Sequence, residues 1–271
     1  MAIARHADMS LAIGLAESAG TPSEWYGLGR REAGELRLIV VRGQGDRGFS
    51  RDQLPGWGAG FTFPSARTIL IRADAGDPYR ILRHELAHLV LADAVKVRVP
   101  LWFSEGYAAL AAGELNRLIA LRLNFSIAKG NIPGFFELDR GLRANEPTAE
   151  TSYALAASAV AMLARRHPDH SLVPLLSKLE SGESFDRAVL ATTGSPLGRF
   201  ELEWQRDVRR RYGLLGWIMA GGLWALASLL VLAAIWVRRK RDRPRRLALD
   251  EGWVVEEDDL AHPLDEPEKT P

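Results

Sequence analysis

The segment RHELAH, residues 83–88, sets two histidines four residues apart with a glutamate after the first. The residues around it decide the local structure. Leu82, Leu86, Leu89 and Val90 recur at helical spacing and form one apolar stripe. Asp77-Pro78 upstream supplies a good N-cap followed by proline at the first helical position. On such a helix His84 and His88 share a face, so two imidazole nitrogens can reach one zinc ion at about 2 Å each. Glu85 lies about 100° further round, close enough to reach a water on the metal without ligating it. H-E-x-x-H therefore reads as two ligands and a general base. A structural helix with two surface histidines would carry the same letters, and a third ligand separates the two readings.

That third ligand is sought in PLWFSEGYA, residues 100–108, on a second expected helix running from near Pro100 to Gly113. Sixteen residues separate His88 from Glu105. HELAH followed by W-x-x-E-G-x-A resembles the gluzincin metallopeptidases, and most closely the small peptidase MA-like domains. The resemblance implies that Glu105 is the third zinc ligand and that the chain holds one Zn2+. It extends through SYALAASAVAML, which begins at Ser152, and the G-x-S-F-D-x-A stretch from Gly182 to Ala188, covering about residues 36–212. Tyr153, in the first of these, could donate its hydroxyl to the oxyanion of a tetrahedral intermediate, as a Tyr or His does across the clan. Packing on the core would explain that tyrosine equally well, and Tyr107 reads as packing.

Two departures limit what the resemblance implies. The thermolysin branch has an aspartate four residues after the ligand glutamate, where it orients a zinc-bound histidine. Here that position is Ala109, so a supporting partner must come from elsewhere. The aminopeptidase branch has a loop glutamate that holds the substrate's free amine, and the comparable stretch Gly56-Trp57-Gly58-Ala59-Gly60 offers no carboxylate. An endopeptidase acting on a peptide or protein substrate is therefore favoured over an aminopeptidase. The alternative is a catalytically silent, membrane-anchored, zinc-containing module that binds a peptide or partner, although such a site has no need of Glu85. An intramembrane protease is disfavoured, because Arg80, Arg83, Asp93 and Lys96 flank the site.

The remainder of the chain sets the organisation. Residues 35–41 (ELRLIVV) and 68–72 (TILIR) read as strands, with a turn-rich loop at 43–60 that could form a ligand wall. Helices are expected at 115–128, 149–166, 171–179, 184–193 and 196–211. The fold class is α+β: a small N-terminal β-sheet packed on the zinc helix, then a helical subdomain and one C-terminal transmembrane helix. That helix is expected at 214–237, 24 residues without a charge, crossing a lipid bilayer. The expected domains are thus a metallopeptidase domain at 1–212, the span at 214–237, and a basic juxtamembrane segment with a disordered acidic tail at 238–271. Seven basic residues between Arg238 and Arg246 place the tail in the cytoplasm and the catalytic domain outside, though the first 25 residues hold no convincing export signal. With 35 basic and 34 acidic residues, bulk charge gives no argument for nucleic acid. The absence of cysteine excludes disulfides.

Overall fold

The computed structural model describes residues 1–4, 6–42, 58–114, 132–144, 146–212 and 222–250. The chain divides into two compact units, 1–217 and 218–271. The first is mostly helical with a small sheet. Its strands are β1 (Ala2–Ile3), β2 (Ser23–Trp25), β3 (Gly29–Arg31), β4 (Arg37–Val41), β5 (Gly60–Phe63) and β6 (Thr68–Arg72). Its helices are α1 (Met9–Ala19), α2 (Pro78–Ala94), α3 (Leu101–Ala111), α4 (Phe135–Gly141), α5 (Glu146–Arg166), α6 (Val173–Glu180), α7 (Phe185–Thr193) and α8 (Leu197–Tyr212).

Four strands form one sheet in the order β1-β4-β6-β5, while β2 and β3 make a separate antiparallel pair. β4 and β6 run parallel in the middle, and β5 closes the side antiparallel to β6. Ile69, Leu70 and Ile71 are all buried, as a central strand covered on both faces requires, whereas β4 buries Leu38 and Val40 in alternation.

α2 packs against β5, β6, α1 and α3. The Asp77 side chain accepts from the backbone amides of Tyr79 at 3.0 Å and Arg80 at 3.5 Å, and Pro78 opens the first turn. Leu82, Leu86, Leu89 and Val90 are buried along one stripe. Asp139 does the corresponding work for α3, accepting from the Trp102 amide at 2.7 Å. Gly106 brings α3 against α5 so closely that a Cβ there would lie 2.4 Å from the Ala156 carbonyl oxygen. Small residues on both helices make this approach possible, and it holds Glu105 and Tyr153 on neighbouring walls.

Strands do not simply precede helices, because α1 sits between β1 and the β2–β3 pair. Its buried residues Ala12, Leu15 and Ala19 follow the helical period.

The second unit corrects the expected transmembrane helix. Its helix α9 runs from Leu223 to Asp250, and no helix among the described residues is long and apolar enough to cross a membrane. Only the fifteen residues from Leu223 to Val237 are uncharged before RRKRDRPRR continues the same helix. At 1.5 Å per residue the described apolar part measures about 22 Å, against a hydrocarbon core of about 30 Å. The single-pass localisation, the bilayer as a partner and the outside–inside orientation go with it. Residues 214–221 of the expected span, the expected helix at 115–128, most of the loop at 43–60 and the tail beyond 250 lie outside the described residues.

Candidate metal centre and catalytic cleft

His84 and His88 project from α2 toward Glu105 on α3, and the three side chains form a group that could hold a metal ion. Glu105 Oε2 lies 3.5 Å from His84 Nε2 and 3.4 Å from His88 Nε2. Ligands about 2.0–2.1 Å from a tetrahedral zinc stand roughly 3.3–3.4 Å from one another. The donor set, two imidazoles and a carboxylate at that spacing, therefore fits zinc with a coordination position left open.

The outward nitrogens of both rings are engaged as well. His84 Nδ1 lies 3.3 Å from Glu114 Oε2, and His88 Nδ1 lies 2.9 Å from Ser104 Oγ. Each histidine thus turns Nε2 inward and meets a supporting group with Nδ1, the arrangement that fixes tautomer and ring plane. Glu114 supplies the carboxylate that the buried Ala109 cannot. It follows Gly113, which takes φ +70° just past α3. The Glu114 amide donates to the Ala109 carbonyl at 2.9 Å and the Gly113 amide to Leu110 at 3.0 Å. These two bonds are a Schellman closure, which pins the backbone that carries the carboxylate.

Glu85 is 7 % exposed. Its Oε2 accepts the Thr62 hydroxyl at 2.6 Å, and its Oε1 faces bare Gly60. Burial raises its pKa above the ordinary carboxylate value, against the opposing pull of His84, His88 and the Thr62 hydrogen bond. Glu105 goes the other way. Burial disfavours its charge, yet the two histidines outweigh burial and hold it well below the usual range. His84 has the matching imbalance, for its burial is overcome by Glu105 and Glu114, which keep it protonated well above an ordinary histidine while no metal competes.

Tyr153 on α5 faces His84 edge-on, ring centroids 6.3 Å apart, and lines the same cleft. Burial, followed by repulsion from Glu105, Glu85 and Glu114, pushes its phenol far above 10, so it stays a hydrogen-bond donor. Tyr107 is fully buried and does not line the cleft. The cleft measures about 1100 Å3 and runs along β5 and the start of α3.

The structure thus brings together all five residues singled out in the sequence, His84, Glu85, His88, Glu105 and Tyr153. It adds Thr62, Ser104 and Glu114, which sequence reasoning missed. Gly113, a helix-ending glycine, was the available signal for a fixed residue at 114. Residues 52–210 match the family model described as the Peptidase MA superfamily. No curated protein and no solved structure matches the chain.

Proposed function

The chain belongs to the Peptidase MA superfamily, and on that premise we propose that it is a zinc-dependent metallopeptidase cutting within peptide chains. The convergence of His84 Nε2, His88 Nε2 and Glu105 Oε2, with Glu85 beside them, carries the reading. Zinc, when bound, supplies Lewis acidity to the scissile carbonyl and to the attacking water. Glu85 takes the proton of that water and passes it to the leaving nitrogen, a task suited to a carboxyl whose pKa burial has raised above its ordinary value. Tyr153 keeps its proton and donates to the oxyanion. Cutting within chains is favoured by the course of the cleft along β5, which is the edge of the sheet among the described residues and can take an extended peptide as a further strand. Gly58, Ala59 and Gly60, beside the base, carry no carboxylate to hold a free amine.

The test is digestion of a broad peptide library by the full chain, with and without chelator, alongside Glu85→Gln. The amide is nearly isosteric and Glu85 is not a ligand, so zinc should stay bound while turnover falls by about 10² to 10⁴-fold. A zinc-containing binding module without turnover would give equal rates for the two proteins, including equal absence of cleavage, and that result would sink the peptidase reading.

A further inference from the structure

β5 faces two ways. The Arg72 amide donates to the Ala59 carbonyl at 2.9 Å, and the ladder then sets Gly60 opposite Ile71, Phe61 opposite Leu70 and Thr62 opposite Ile69. Hydrogen-bonded and non-hydrogen-bonded pairs alternate along an antiparallel ladder. Since Ala59–Arg72 is a bonded pair, Phe61 also pairs with β6, and Gly60 and Thr62 turn their backbone N–H and C=O to the side away from β6, where no strand pairs with β5 among the described residues. Being two apart, Gly60 and Thr62 also share a side-chain face. That face meets α2 at Glu85.

The two residues divide the Glu85 carboxylate between them. A Cβ at position 60 would lie 2.6 Å from Glu85 Oε1 and 2.8 Å from its Cγ, so only glycine leaves the side chain its place. The Thr62 hydroxyl stands 2.6 Å from Oε2 and 3.0 Å from the Glu85 backbone carbonyl. It has one proton for two acceptors, and the nearer and more strongly charged is Oε2. A buried carboxylate without that donor would keep its burial penalty and lose its fixed orientation.

We infer that Thr62 and Gly60 are the positioning residues of the general base, the hydroxyl fixing the carboxylate plane and the missing Cβ making room for it. The inference rests on the peptidase reading above and deepens it. The strand that offers backbone groups to an incoming peptide is the one that aims the base, so docking and alignment are set by a single element.

The experiment compares Thr62→Val, Thr62→Ser and Gly60→Ala in the zinc-loaded full chain, on a peptide that the wild type cleaves. Valine keeps the branched shape and loses the hydroxyl, while serine keeps the hydroxyl and loses the methyl. Thr62→Val should lower kcat by about 10- to 100-fold, the scale set by a lost hydrogen bond to a charged group and a misplaced base, with KM and zinc content unchanged. Thr62→Ser should return kcat to within about threefold of wild type, because the donor is restored. Gly60→Ala should lose kcat at least as far as Thr62→Val, with zinc retained. Wild-type kcat in Thr62→Val, or equal losses in the serine and valine variants, overturns the inference and leaves the peptidase reading standing. A wild type that binds zinc and cleaves nothing removes both.

Discussion

Helices α2 and α3 supply the groups that would hold a metal and take a proton from its water, whereas β5 and the turn after α3 supply most of the groups standing behind them. The first set is local in sequence: His84, Glu85 and His88 lie within one and a half turns of α2, and Glu105 follows on the next helix. The second set is assembled from distance, Thr62 reaching Glu85 across 23 positions and Glu114 reaching back to His84 across 30. Chemistry is thus written on rigid helices, and its orientation is written on a sheet edge and a helix terminus. The difference teaches that the inner groups specify which reaction is open to the chain, and the outer groups how well the reacting atoms are held.

The comparison breaks if outer substitutions cost as much as inner ones. The largest effect should come from Glu105→Ala. Structural zinc binding amounts to about 10–16 kcal/mol over four ligands, about 2.5–4 kcal/mol each, so losing one should weaken zinc by roughly 10² to 10³-fold. Titration against a competing chelator measures it, and unchanged affinity would take Glu105 out of the ligand set. Next stands Tyr153→Phe, expected to lower kcat by roughly 10- to 10³-fold with zinc retained if the phenol serves the oxyanion. A variant with full kcat would reduce Tyr153 to packing.

Glu114→Ala should weaken zinc by about 10- to 100-fold, the usual cost of removing a partner behind a ligand. Its pH dependence sharpens the comparison. Glu114 helps raise the His84 pKa, so it also strengthens the proton that competes with zinc when the pH falls. The gap between wild type and Glu114→Ala should therefore be widest above the raised His84 pKa and shrink as the pH drops through it. A gap that is constant with pH would mean that the carboxylate acts on something other than His84. The smallest effect belongs to Ser104→Ala, where a neutral hydroxyl is lost from His88 and zinc should weaken by less than about tenfold.

The inner groups were legible because helical period and histidine spacing coincide in one stretch, and because Glu105 lies in a second compact motif. Thr62 was not legible for a physical reason: β5 has four residues, Gly-Phe-Thr-Phe, directly after a turn-rich stretch, and nothing local says which face of so short a strand meets a helix. Glu114 was half legible, since Gly113 marks the end of α3 while the direction of the next side chain depends on α2 alongside. The second unit carries the opposite lesson. Counting uncharged residues from 214 to 237 treats the run as one element, whereas α9 continues its helical backbone through Arg238 and onward to Asp250. Trp224 and Leu229 are 79 % and 66 % exposed on that helix. An apolar run gives a length of sequence, whereas the helix that takes up its described part, from Leu223, runs on into charged residues.

Arg83, the neighbour of the first histidine, has a consequence for how the site can open. Its Nε donates to the Ala111 carbonyl at 2.6 Å, its Nη2 donates to the Glu24 carbonyl at 3.0 Å, and its guanidinium lies 5.0 Å over the Trp25 ring. One side chain therefore clasps the end of α3 and the β2–β3 hairpin onto α2. Local openings in proteins occur in cooperative blocks, each with its own free energy. Through Arg83 the hairpin belongs to the same block as the histidine helix, although it contributes none of the groups singled out in the site. Fraying of α3 from its C-terminal end would have to break the clasp before it could release Glu114. A ligand that binds only the closed block would then slow amide exchange in the hairpin by mass action, at residues it never touches.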